Sequence, residues 1–322
     1  MVFWEKEGGK LFFDLRSNWW KVGARIWSGV ESVGAISVDA SRQGYESMSR
    51  VQAGAKESVA QVKEFSFQAG PNSKVIVRVY WSQLEKDLPL LMFVHGGGWS
   101  RGSLDTHDAL CRNLAKKLNC VVVSVGYRLA PEHPFPAGYD DVFADYHWCI
   151  NHAINLGADP KKIAVAGDSS GGNLVAALVC RLVEENKQMP NFQVLIYPIT
   201  DVAFATESID TFDGYILSKS GLESYREIYL PQNANFKDFR FSPIHYPHLE
   251  KICPTIVLAA EMDPLVDEGK LYAESLKKAG GKVSYLVADG TVHAYMQMFI
   301  SFPKQTQQSL NLLGLYSPQI AA

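Results

Sequence analysis

Along most of the chain, short continuous apolar runs alternate with stretches of helical spacing. Leu90 to Val94, Cys120 to Val125, Ile163 to Ala166, Val194 to Tyr197, Thr255 to Ala259 and Val283 to Val287 are each of strand length and nearly free of polar residues. Runs of this kind suit strands covered on both faces. Between them, Thr106 to Leu118, Tyr139 to Leu156 and Leu174 to Val183 space their apolar residues as helices do. Buried strands alternating with helices predict an α/β fold, a mostly parallel central sheet with helices on both faces. Ahead of the first run, Lys63 to Phe67 and Lys74 to Trp81 alternate apolar and polar positions around Gly70-Pro71-Asn72, which predicts a hairpin. Sites in such sheets form beyond the C-terminal ends of the strands.

Two regions break the rhythm. Residues 1–62 lack strand alternation and hold four of the seven tryptophans. Phe12, Leu15, Trp19, Val22 and Ile26 recur at spacings of three and four, the stripe of an amphipathic helix, and Arg16, Lys21 and Arg25 lie off it. Such a helix either lies over the main domain as part of a lid or touches a lipid interface. The lid is the favoured reading, since an apolar stripe more often buries in its own protein. A second helix is predicted from Asp39, as N-cap, to Val51. The other break runs from Pro198 to His248, where aromatic residues crowd a stretch that begins at a strand's C-terminal end. The expected layout is a catalytic core over 63–198 and 249–322, N-terminal cap helices over 1–62, and a cap insertion over 199–248.

Composition narrows the partners. The 322 residues are 47% hydrophobic and 20% charged, with a net charge of −3. That balance implies no nucleic-acid partner, and no basic stripe or nucleic-acid motif is present. Five cysteines, at 111, 120, 149, 180 and 253, are odd in number, form no C-x-x-C, and mostly sit in apolar patterns. Buried free thiols in a reducing compartment fit them. No apolar run reaches transmembrane length, and the first residues lack a basic stretch followed by an apolar one, so a cytoplasmic location is expected.

The chemistry concentrates at strand ends. Ile163 to Ala166 runs into Gly167-Asp168-Ser169-Ser170-Gly171, and a helical run follows. A serine between two glycines at a strand-to-helix turn is a nucleophile elbow. The helix N-terminus beneath it offers unpaired N–H groups to a developing oxyanion. Serine needs a base, and the base an orienting acid. Asp263 follows the strand Thr255 to Ala260, and His293 lies in the loop after Val283 to Val287. The order Ser169, Asp263, His293 is the one such elbows carry. Asp267 and Asp289 are rival acids, less well placed because neither sits where a strand ends. His95-Gly96-Gly97-Gly98-Trp99 directly follows another strand. Its glycines let backbone approach a ligand, so Gly97 and Gly98, with the Ser170 N–H, are the expected oxyanion donors. His95 is expected to brace the loop. Trp99, Phe204 and Tyr215 are expected beside an apolar substrate pocket. His147 and His152 share a helix at a spacing poor for a metal, and no metal or cofactor is expected.

These motifs resemble the hormone-sensitive-lipase family of α/β-hydrolase carboxylesterases. The resemblance spans about residues 63–300. It rests on H-G-G-G-W at 95–99, Y-R-L-A-P-E-H-P-F-P-A at 127–137, G-D-S-S-G-G-N at 167–173, E-M-D-P-L-V-D-E-G at 261–269 and the His293 loop. It implies hydrolysis of short- to medium-chain acyl esters by Ser169, His293 and Asp263, a cap over the site, and pairing into a homodimer through the sheet edge. Three positions depart from the family's pattern: Ala294 and Tyr295 follow the histidine where Gly-Phe is common, and Ser170 stands where Ala is more frequent. Two other readings stay open. Plant gibberellin receptors share the fold without the histidine and bind rather than turn over their ligand; His293 argues for an enzyme. An amidase would use the same side chains. The segment Tyr127 to Ala137, rich in proline, is expected to be a rigid support.

Overall fold

The computed structural model describes residues 6–7, 10–11, 37–70 and 73–316. Its centre is an eight-stranded sheet: β1 Gln61–Gly70, β2 Ser73–Trp81, β3 Leu88–Val94, β4 Val121–Gly126, β5 Ala158–Asp168, β6 Gln193–Ile196, β7 Thr255–Met262 and β8 Val283–Val292. The spatial order is β8-β7-β6-β5-β3-β4-β2-β1. All neighbours from β8 through β4 pair in parallel, and β2 and β1 extend the sheet antiparallel. This is the α/β-hydrolase fold.

Alternation along the strands sorts side chains onto two faces. In β3, Leu88, Leu90, Met92 and Val94 enter one core cluster, and Leu91 and Phe93 enter the other. Neither face meets water, which is why the strand reads as an unbroken apolar run. The first face is covered by α3 (Ala137–His152), α4 (Ser170–Glu184) and α7 (Val266–Lys278). The second is covered by α2 (Asp108–Leu118), α8 (Pro303–Leu315) and Tyr45 of α1 (Val38–Gln52). Helix α4 is buried almost all round, consistent with its Ala/Leu/Val composition.

Between β6 and β7 the chain leaves the sheet and forms α5 (Glu207–Thr211) and α6 (Lys219–Tyr229) with short 3-10 turns. Helix α1 is capped two residues before the expected position, by Ser37: its hydroxyl accepts the Ala40 N–H at 3.2 Å, while Asp39 lies within the first turn. With Ser37 two residues ahead serving as the cap, Asp39 falls inside the helix instead of capping it. The expected amphipathic helix over Phe12 to Ile26, with its lid and lipid alternatives, lies outside the described residues. Among the described residues no helix is long and apolar enough to cross a membrane. All five cysteines are buried and free.

One carboxylate in this core is uncompensated among the described residues. Asp145 on α3 is fully buried, and neither of its carboxylate oxygens has a hydrogen-bond partner among the described residues. Burial, and secondarily the charge of Asp141 one turn away, push its carboxyl well above the ordinary range. The folded state therefore holds this proton more tightly than the unfolded state. Its contribution is most favourable below the unfolded carboxyl value and declines as pH rises through the window above it, by up to about 1.4 kcal/mol per pH unit. Asp145→Asn should remove that slope. Urea midpoints of the two proteins, compared from pH 5 to pH 8, should show the variant gaining on the parent as pH rises; parallel profiles would contradict the assignment.

Candidate active site

The sheet brings four loop origins to one edge. Val94 at the end of β3 pairs beside Gly167 at the end of β5, and Met262 of β7 pairs beside Val292 of β8. The residues that follow are His95, Ser169, Asp263 and His293. Ser169 lies at φ 55° and ψ −122°, at the head of α4. Its N–H donates to Ile196 O at 2.9 Å and its carbonyl accepts from Asn173 at 3.1 Å. The turn is tight enough that a Cβ on Gly171 would drive into the carbonyl oxygens of Val94 and His95, and one on Gly167 into the backbone of Gly171. That steric limit is the reason for glycine on both sides of the serine.

His293 Nε2 stands 2.9 Å from Ser169 Oγ, and His293 Nδ1 stands 2.8 Å from Asp263 Oδ2. Asp263 is fully buried, and its other oxygen accepts the Leu265 N–H at 2.9 Å. The carboxylate accepting at Nδ1 leaves the Nε2 lone pair facing the serine. The rivals are engaged elsewhere: Asp267 accepts the Ser208 N–H at 2.9 Å, and Asp289 is exposed on β8. The three side chains named from chain order thus meet, although 124 positions separate Ser169 from His293.

Gly97 and Gly98 border the same cavity as Ser169 and His293. Both have positive φ, 126° and 63°, and a Cβ on Gly98 would reach 2.5 Å from the Tyr225 ring. Ser170 opens α4, so its N–H has no acceptor within the helix. Its hydroxyl has a separate use, accepting the Trp99 N–H at 3.2 Å and so tying the glycine turn to the serine turn. Alanine, frequent at this place in the family, could not make that bond. Ala294, where the family commonly has glycine, sits at φ 64°, which explains the preference for glycine there.

The support beneath is as the sequence implied. The His95 ring stacks on Tyr127 at 4.5 Å, and Tyr127 donates to His95 O at 2.9 Å. Burial, then the neighbouring His107, bring the His95 imidazole down to about 4, so it is neutral near pH 7. Arg128 grips Asp141 through both oxygens at 2.8 Å, and Ala130 N–H donates to Trp99 O at 2.9 Å.

The pocket wall differs from expectation. The cavity beside Ser169 is small, about 40 Å³. Trp99, Phe204 and Tyr215 do not border it. Trp99 is buried flat against Tyr229 at 4.6 Å, Phe204 lies under Arg226, and Tyr215 packs edge-on against Phe212. Large aromatics here serve the insertion's own packing. The wall includes instead Tyr45, Arg101, Ile216, Leu222, Tyr225 and Gln297. Leu222 and Tyr225 sit one turn apart on α6, a spacing visible in the sequence; Tyr45, Arg101 and Gln297 had no periodic signal. Among the described residues no cluster of His, Cys, Asp and Glu could hold a metal ion.

This architecture, with its serine turn at the C-terminal edge of the sheet, defines an α/β hydrolase. A family model described by the alpha/beta hydrolase fold matches residues 91–297. The chain is 36% identical to the ethyl acetate hydrolase of Pseudomonas putida over 82% of this chain and 85% of that protein. It is 39% identical to the carboxylic ester hydrolase LipN of Mycobacterium tuberculosis, over 71% of this chain and 63% of LipN. A crystal structure of a mutant α/β hydrolase from the metagenome of Lake Arreo, Spain, superposes with a TM-score of 0.87 at 34% identity, covering 94% of this chain and 96% of that one. The chain belongs to this α/β-hydrolase family, in its hormone-sensitive-lipase branch, and is a carboxylic ester hydrolase.

The fit around Gly171 has a measurable consequence. The atoms facing a new Cβ there are backbone carbonyls that cannot rotate away. Gly171→Ala is therefore expected to lose about 3 kcal/mol or more of stability, read as a lowered urea midpoint; an unchanged midpoint would contradict the packing described.

Proposed function

We propose that Ser169 is the nucleophile, His293 the general base and acid, and Asp263 the group that orients the imidazole. The N–H groups of Gly97, Gly98 and Ser170 are the oxyanion donors. The reading is carried by the unbroken hydrogen-bonded chain from Ser169 Oγ through His293 to Asp263, opening on a cavity bordered by Gly97 and Gly98. His293 Nε2 takes the serine proton as Oγ attacks the ester carbonyl, and the carbonyl oxygen gathers negative charge facing the N–H groups. The tetrahedral species collapses, the C–O bond to the alcohol breaks, and His293 returns its proton to the leaving oxygen. Water then repeats the sequence on the acyl-enzyme and frees the acid.

The substrate in this proposal is a small ester of short to medium acyl length. A cavity of about 40 Å³ admits a few water-sized groups. Longer chains would have to displace Leu222 or Tyr225 of α6, which makes the α5–α6 insertion, with α1, the cap. Five buried thiols fit a reducing compartment such as the cytoplasm. The outer edge of β8, the end strand of the sheet among the described residues, with Val287 exposed, is the surface on which a second copy would pair.

Ser169→Ala should lower kcat for p-nitrophenyl acetate at least about 10⁴-fold without a change in the unfolding midpoint; retained turnover would discard the assignment. In a chain-length series, acetate and butyrate esters should outpace octanoate in the parent. Leu222→Ala should raise octanoate turnover relative to butyrate by about ten-fold, and an unmoved ratio would remove Leu222 from the acyl wall.

A further inference from the structure

At the cavity, the Gly96 turn, the serine turn and the His293 loop meet on one buried carboxylate. Asp168, immediately before Ser169, is fully buried. Its Oδ1 accepts the Gly96 N–H at 2.8 Å, and its Oδ2 accepts the side-chain amide of Gln297 at 2.8 Å. Gln297 stands four residues beyond His293, and its carbonyl oxygen accepts the Tyr45 hydroxyl at 2.9 Å. Tyr45 belongs to α1. Three consecutive hydrogen bonds therefore lead from the N-terminal helix, by way of the His293 loop and the serine turn, to the first glycine of the Gly96–Gly98 turn.

The direction of each bond is forced. Burial alone would raise the Asp168 carboxyl, but His107, whose Nε2 lies 3.1 Å from Oδ1, and the Gly96 N–H outweigh it and hold the group below its ordinary range. An ionised carboxylate accepts only, so Gln297 must turn its NH₂ toward Asp168 and its carbonyl toward Tyr45. Nor is there slack at the far end. A Cβ on Gly96 would meet the Asp168 carbonyl oxygen at 2.7 Å and Oδ2 at 2.8 Å, so the turn rests directly on this residue. Displacing the carboxylate must displace Gly96, and with it the N–H groups that follow.

We propose that Tyr45, Gln297 and Asp168 form a positioning relay by which the seated α1 helix holds the Gly96–Gly98 turn in its oxyanion-binding geometry. The relay rests on the reading of Gly97, Gly98 and Ser170 as donors. It acts through the turn and not on the ester carbonyl, so it stabilises charge that appears only in the transition state. Its loss is therefore read in kcat. Losing a whole oxyanion donor costs about 10²–10³ in kcat; a donor displaced but not removed should cost less.

The test uses the full chain and p-nitrophenyl acetate. Tyr45→Phe removes one hydroxyl and keeps the ring beside the Arg101 guanidinium. It should lower kcat about ten-fold with KM changed less than about two-fold. Gln297→Met should lower kcat by at least as much, and adding Tyr45→Phe to it should change kcat less than about two-fold, since the Gln297 carbonyl through which the hydroxyl acts is then gone. A trifluoromethyl ketone, whose serine adduct carries an oxyanion, should weaken in Tyr45→Phe by the same factor as kcat/KM, with product inhibition by acetate unchanged. Losses that multiply independently, an effect confined to KM, or a parent-like kcat in Tyr45→Phe would overturn the relay. If Gln297→Met does not fold, Tyr45→Phe and the ketone still decide. An active Ser169→Ala would instead overturn the nucleophile assignment, whereas an inactive Ser169→Ala beside a parent-like Tyr45→Phe would remove the relay alone.

Discussion

Ser169 is held in a backbone conformation that serine enters only under constraint, at φ 55° and ψ −122°. Such a residue costs about 1–3 kcal/mol and persists only where its surroundings over-determine it. Here β5 delivers the chain on one side, α4 leaves on the other, and hydrogen bonds to Ile196 and from Asn173 fix the peptide groups between. The consequence is a hydroxyl raised above the sheet edge with a helix N-terminus directly beneath. Much of the site follows from that one turn. The glycines flanking it exist because Val94 and His95 carbonyls press against it, and that pressure also keeps the neighbouring glycine turn close enough to share the cavity.

Rigid and adjustable parts divide along the sheet edge. Below it, strands covered on both faces supply two apolar clusters and carry little chemistry. Above it lie charged and polar groups tied to partners on other segments: Asp263 to His293, Asp168 to Gly96 and Gln297, and Arg128 to Asp141 of α3. Buried polar groups are tolerable when paired in this way and costly when not. The pairing does more than satisfy them, because the Asp168 bonds join segments 72 and 129 positions apart and so fix one loop against another.

The cavity wall is drawn from outside the sheet. Helix α1 and the insertion after β6 contribute Tyr45, Leu222 and Tyr225, and they leave a space of about 40 Å³. Arg101 links the two contributions, its guanidinium carbon lying 4.9 Å from the ring centres of both Tyr45 and Tyr225. A cation between two aromatic faces is favourable when desolvated. A change in either segment would reshape the space beside Ser169 while leaving the core intact, and one fold can host different sites in this way.

The amino-acid order by itself determined the strands, because a run such as Leu90 to Val94 has no polar face to give water and must be covered on both sides. It also determined Ser169, Asp263 and His293, since each stands just past a predicted strand and a parallel sheet collects such positions at one edge. The glycines at 97, 98, 167 and 171 were legible for a related reason: only a residue without Cβ can stand where backbones nearly touch. Tertiary structure alone decided which side chains border the cavity beside Ser169. Trp99, Phe204 and Tyr215 looked like pocket walls by type and place, yet they pack into the body of the protein, while Tyr45, Arg101 and Gln297 reach the cavity from segments with no local sign of it. Periodicity reports which face of an element is buried; what that face is buried against depends on how separate elements dock, and no local pattern carries that information.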